Sequence, residues 1–98
     1  MAKFDIKPTI KFRKDLKLAK RRCLALSDLY EVVGKLANNE PLPDKNHDRP
    51  LHGDYEGYRE YHINPDWLLI YEKLTEIRII SLYRTGTHSD LFDKGKNR

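Results

Sequence analysis

Between residues 58 and 71 the chain changes from alternation to saturation. Tyr58 to Ile63 alternates bulky and polar residues, Asn64-Pro65 is a turn signal, and Trp67 to Tyr71 is a continuous apolar run. That order predicts a β-hairpin whose second strand is buried. Thr75-Glu76 marks the next turn, and Ile77 to Tyr83 reads as the last strand, apolar on both faces at Ile79-Ile80. A strand of that kind belongs inside a sheet. At the start, Lys3 to Lys7 alternates with Phe4 and Ile6 on one face and stops at Pro8, which predicts a short first strand.

Two stretches carry the helical period. Pro8-Thr9 opens the first, in which Phe12, Leu16, Ala19 and Cys23 recur on one stripe. The second is expected to begin near Ser27 as N-cap, with Asp28 and Glu31 where the helix dipole favours anions. Its apolar face is Leu26, Leu29, Tyr30, Val33 and Leu36, and Asn38-Asn39 ends it. Residues 40–50, EPLPDKNHDRP, are loop. The elements predict an α+β domain over residues 1–92, with a frayed tail at 93–98. A two-helix hairpin packs on a mainly antiparallel four-stranded twisted sheet, the first strand lies parallel to the last, and a short C-terminal helical turn follows.

Composition narrows the class. A chain of 98 residues, 39% apolar and 35% charged, supports one two-layer core and no membrane span. MAKFDIKP lacks the apolar core of a signal peptide, so a cytoplasmic protein is expected. The single cysteine, Cys23, cannot form an internal disulfide and reads as a small buried helix residue. The first 25 residues hold nine Lys/Arg against two Asp, a net of +7 against +4 for the whole chain, which leaves the rest at −3. Lys11, Lys14, Lys17, Lys20 and Arg21 project from the first helix away from its apolar stripe. Such a ridge favours RNA or an acidic partner chain over a solvated basic face alone.

Candidate chemistry sits at one end of the hairpin. His62, Asp66 and Trp67 flank its bend, and the Thr85-Gly86-Thr87 bend, with glycine supplying positive φ, returns Arg84 and His88 toward them. Metal-free RNA cleavage takes a proton from the 2′-hydroxyl, gives one to the departing 5′-oxygen, and stabilises charge on the phosphate oxygens. Histidine, with an ordinary pKa of about 6.5, performs either transfer, and arginine forks onto phosphate. The residues suit His88 as general acid and His62 with Asp66 on the 2′-hydroxyl side, or the reverse. Trp67 and Phe92 offer stacking faces for bases. Arg59 falls on the opposite face from His62. Taken singly, each of these residues fits a structural role as well; their coincidence favours chemistry. A zinc site from His47, His52, His62, Asp66 and His88 is the rival, but the spacings match no standard pattern.

The paired runs HINPDWLLIY and LYRTGTHSDLF resemble the YafQ branch of the RelE/ParE superfamily of bacterial toxins, and the resemblance extends from the first strand to Phe92. It implies a RelE-like fold and a ribosome-dependent endoribonuclease that cuts mRNA in the A site without a cofactor. The implied catalytic residues are His62, Asp66, Arg84 and His88, with Trp67 and Phe92 placing the mRNA. Arg49, Lys14 and Lys17 join them as expected substrate contacts. Arg49 departs from the branch, which commonly carries histidine before Pro-Leu; His47 or His52 are the nearby replacements. Expected partners are the 70S ribosome, mRNA and a DinJ-like antitoxin with an acidic or partly disordered segment, with no membrane. The alternatives are a ParE-like gyrase inhibitor, which lacks this histidine set, and a non-enzymatic RNA-binding domain.

Overall fold

A computed structural model describes residues 3–43 and 46–92, so the tail expected at 93–98 and two residues of the 40–50 loop lie outside the described residues. Strand β1 (Asp5–Pro8) leads into helix α1 (Ile10–Arg21), and helix α2 (Leu26–Ala37) follows. Thr9 makes that first junction. Its hydroxyl accepts from the Phe12 amide as an N-cap and donates to the Tyr83 carbonyl, so one side chain starts α1 and pins it to the last strand. Then come β2 (Arg49–Pro50), β3 (Arg59–Asn64), β4 (Trp67–Leu74), β5 (Ile79–Gly86) and α3 (His88–Phe92).

The sheet order is β1-β5-β4-β3-β2, with β1 parallel to β5 and the other pairs antiparallel. The mixed topology follows the expectation, and the two-residue β2 adds a fifth strand to the four expected. Helices α1 and α2 cover one face. Phe12, Ala19, Leu29, Val32 and Leu36 pack there against Tyr61, Trp67, Leu69, Tyr71, Ile80 and Leu82. On the other face a smaller cluster of Leu68, Ile70 and Leu91 is rimmed by Leu51, Tyr55, Tyr58, Tyr83 and Phe92.

Several local expectations are corrected. Strand β5 begins at Ile79, because Arg78 adopts a left-handed conformation (φ 56°) that closes the turn, and Ile77 at its tip is exposed. Helix α2 starts one residue after Ala25, which offers no side-chain cap; Ser27 lies within it. Its buried face is Leu29, Val32 and Leu36, and Tyr30 points outward at 56% exposure because the stripe turns past it. Cys23 is exposed and left-handed (φ 60°), beyond the end of α1. The stripe stops at Ala19. No helix among the described residues is long and apolar enough to cross a membrane.

Candidate active site

Strand alternation sorts β3 into two sets. Tyr61 lies opposite Leu69 on the helix-covered face, while Glu60 opposite Ile70 and His62 opposite Leu68 share the α3 side. Arg49 of β2 pairs in register with Glu60, and its Nε donates to Glu60 Oε2 at 2.6 Å. The His62 and His88 rings are 5.5 Å apart between centroids, and His47 approaches His62 edge-on at 5.8 Å. Donor atoms of Glu60, His62 and His88 lie within 4.8 Å of one another, close enough to converge on one small ion or one phosphate. Glu60 is only 4% exposed, so its carboxylate acts inside a shielded site.

Helix α3 is held by three contacts that fix His88. Thr87 and Asp90 exchange bonds, amide to carboxylate and amide to hydroxyl at 3.1 Å each, which is a capping box. Arg22 donates to Asp90 at 2.8 Å and holds its carboxyl below the usual carboxylate range. Tyr55 donates its hydroxyl to the Leu91 carbonyl at 2.9 Å, and burial pushes that phenol up. Gly86 is not the positive-φ bend expected. It closes β5, and a Cβ there would meet Asp90 at 3.1 Å, so glycine permits the close approach of α3.

The expected residues divide. His62, His88 and Arg49 are brought together, and Phe92 stands 6.0 Å from His88. Arg84 is turned elsewhere. The β4–β5 register shifts so that Tyr83 has no partner, and Arg84 reaches Asp15 of α1 through Nε (2.6 Å) and Nη2 (3.1 Å). Asp15 also accepts from the Thr85 amide, and its carboxylate pushes the Arg84 guanidinium further above its ordinary range. Arg84 nevertheless borders a groove of about 430 Å³ with Lys11, Tyr55, Tyr83 and Phe92.

Asp66 sits exposed in the hairpin turn, its amide bonded to the Asn64 side chain, and no bond joins it to a histidine among the described residues. Trp67 corrects the stacking expectation. At 1% exposure it belongs to the core, its Nε1 buried without a partner beside a hollow lined by Asp15, Arg22 and Arg84. Lys14 and Lys17 are exposed on α1. The five-residue zinc set does not assemble among the described residues: the histidines that converge, His62 and His88, do so with Glu60, without His52 or Asp66. Arg59 pairs with Asp48 on the helix-covered side, as its alternation with His62 requires. Sequence reasoning missed Glu60, whose place two residues before His62 put it on the same face. It also missed Asn46, whose amide donates to the His62 carbonyl at 2.6 Å.

A two-helix layer over a mixed five-stranded sheet, closed at one end by a short C-terminal helix that begins at His88, is the architecture of a RelE-like toxin domain. Residues 4–93 match the family model for the bacterial toxin of type II toxin-antitoxin systems, YafQ, and the chain belongs to that family. It is 43% identical to the mRNA interferase toxin YafQ of Escherichia coli over 93 residues, which span 94% of this chain and 99% of the relative. Among solved structures it is similar to the crystal structure of Escherichia coli YafQ, at TM-score 0.84 and 41% identity over 91% of this chain and 98% of that one. It also superposes on the toxin of the Escherichia coli DinJ-YafQ toxin-antitoxin complex, at TM-score 0.82 and 42% identity over 92% of this chain and 98% of that one.

Proposed function

We propose that this YafQ-family mRNA interferase toxin is a ribosome-dependent endoribonuclease that cuts mRNA in the A site. The observation that carries the reading is the His62–His88 pair, 5.5 Å apart, beside the buried Glu60. A scissile phosphate between the two rings meets one imidazole on the 2′-hydroxyl side and one on the leaving-group side. His62 takes the 2′-hydroxyl proton, the 2′-oxygen bonds to phosphorus, and the P–O5′ bond breaks as His88 protonates the departing oxygen. The products are a cyclic 2′,3′-phosphate and a free 5′-hydroxyl. Glu60 takes the supporting role expected of Asp66, stabilising the imidazolium that His62 becomes. Arg49, already on Glu60, stands at the exposed rim where phosphate oxygens gather charge.

The basic α1, with Lys14 and Lys17 exposed, supplies sequence-independent attraction to ribosomal RNA and mRNA in the cytoplasm. The same surface suits the acidic segment of a DinJ-like antitoxin. Phe92, beside His88, offers a face on which a base of the A-site codon stacks.

The test is cleavage of a defined mRNA on translating ribosomes by the wild type, His62→Ala and His88→Ala, with the ends mapped by primer extension. Cuts at fixed codon positions, lost in both variants, are the expected result. Intact mRNA with the folded wild type overturns the reading, and a gyrase supercoiling assay then examines the ParE-like alternative.

A further inference from the structure

We infer that Asn46 is a positioning residue that sets the tautomer of His62, a role that rests on His62 being the base of the proposed reaction. Strand β2 pairs only with Arg59 and Glu60, so the outer edge of β3 is unpaired at His62. Asn46, three residues before β2, supplies the missing donor there: its Nδ2 reaches the His62 carbonyl at 2.6 Å. The next residue, His47, is left-handed (φ 54°) and sets its ring edge-on to His62 at 5.8 Å. The loop is thus bound to the histidine through backbone and ring together.

The other end of the same amide is what assigns the role. Asn46 Oδ1 is buried and has no hydrogen-bond partner, and His62 Nδ1 is buried and has none either. Both residues line one hollow of about 520 Å³, bordered by Ile63, Asn64 and Pro65. An orphaned acceptor and an orphaned ring nitrogen in one hollow each carry a desolvation cost that a shared bond removes. The amide oxygen can only accept, so the bond requires the proton on Nδ1. The bond is direct, closing by a small shift of the loop that brings the amide oxygen onto the ring nitrogen. With Nδ1 protonated, the lone pair is on Nε2, the form in which His62 accepts the 2′-hydroxyl proton. The bond to Nδ1 itself opposes the ring rotation that would exchange the nitrogens, and the amide's hold on the His62 carbonyl keeps its oxygen beside the ring.

Two variants separate this role from simple anchoring. Asn46→Ala loses both the donor to the carbonyl and the acceptor for Nδ1; Asn46→Asp loses the donor and keeps an acceptor. Imidazole ¹⁵N NMR of the purified toxin, above the titration range of its histidines, reads the tautomer of His62 directly. The expected result is Nδ1–H for the wild type and Asn46→Asp, and a shift toward Nε2–H for Asn46→Ala. On ribosomes, Asn46→Ala lowers kcat by about 10- to 100-fold with KM little changed, the scale of a lost supporting hydrogen bond, and Asn46→Asp recovers most of it. Nε2–H in the wild type, an unchanged tautomer in Asn46→Ala, or an Asn46→Asp protein as altered as Asn46→Ala overturns the inference. The NMR measurement needs no ribosome, so its outcome is independent of whether the wild type cleaves mRNA.

Discussion

Arg49 and Glu60 form an ion pair at 2.6 Å between a side chain 62% exposed and one 5% exposed. The asymmetry decides what the pair does. Glu60 has given up its water, so Arg49 is the group that compensates its charge, whereas Arg49 itself remains solvated. Removing the arginine leaves a buried carboxylate with nothing to offset its desolvation.

The expected outcome is that Arg49→Ala lowers stability by about 1–3 kcal/mol, the cost of a buried charged acceptor left unmade. Glu60→Gln in the Arg49→Ala background recovers most of that loss, since the neutral amide tolerates burial better. Urea denaturation of the two single variants and the double variant measures the coupling. The same set on ribosomes separates the roles: Glu60→Gln reduces cleavage whether or not Arg49 is present. Independent, additive losses would mean that the short contact carries no coupling.

Arg84 and Asp15 make a second pair, two-pronged and better shielded, at 24% and 14% side-chain exposure. It ties β5 to α1 where β1 no longer covers the edge of the sheet. Asp15→Ala therefore costs about 1–3 kcal/mol of stability, seen as a lower denaturation midpoint. Freed from Asp15, Arg84 can still swing into the groove beside Phe92, so cleavage at a temperature where the variant is folded stays within a few-fold of wild type. Arg84→Ala loses both. An Asp15→Ala protein that is folded but inactive would mean instead that Asp15 holds Arg84 in its working position.

The Tyr71 hydroxyl donates to Asp48 at 2.7 Å, and burial first, then that carboxylate, pushes the phenol well above its ordinary range. A group whose folded-state pKa is raised contributes stability that is complete below the unfolded value, about 10 for tyrosine, and is lost as pH rises beyond it. The wild type should therefore lose stability steeply above pH ~10 as the unfolded chain releases a proton that the native state retains. Tyr71→Phe starts lower, having left Asp48 without this donor, and shows a shallower alkaline slope. Thermal unfolding midpoints across that range check it; parallel slopes for the two proteins would refute the assignment.

How much of this was legible in the sequence depends on whether a residue's role is local. The alternation from Tyr58 to Ile63 and the apolar run from Trp67 gave the hairpin, and the Ile79-Ile80 doublet gave the interior strand that β1 joins in parallel. The His62–His88 approach was also readable, because β4 pairs with both β3 and β5 and its Leu68 lies opposite His62 on one side and Gly86 on the other. Asp15 holding Arg84 was not: the partners are 69 residues apart and meet only because a register shift leaves Tyr83 unmatched on β5. Asp66 was placed with the histidines on nearness in sequence, but the turn leaves it exposed and it is Glu60 that converges with them. Gly86 was read for its backbone freedom, whereas its missing Cβ matters for the approach of Asp90.

Trp67 gives the last test, because its burial reverses the meaning of the substitution usually made. At 1% exposure, packed with Leu69 and Tyr71 beneath the helices, it has no ring face open to a base. Trp67→Ala should then cost about 3–5 kcal/mol through the cavity it leaves, and any loss of cleavage would report unfolding. Trp67→Phe keeps an aromatic body and removes an indole N–H that has no partner, so no hydrogen bond is lost with it. The expected result is a moderate fall in denaturation midpoint with near-normal cleavage below it. Should Trp67→Phe instead stay as stable as the wild type and fail to cut mRNA, the indole N–H would have to meet RNA through the hollow that it shares with Arg22 and Arg84.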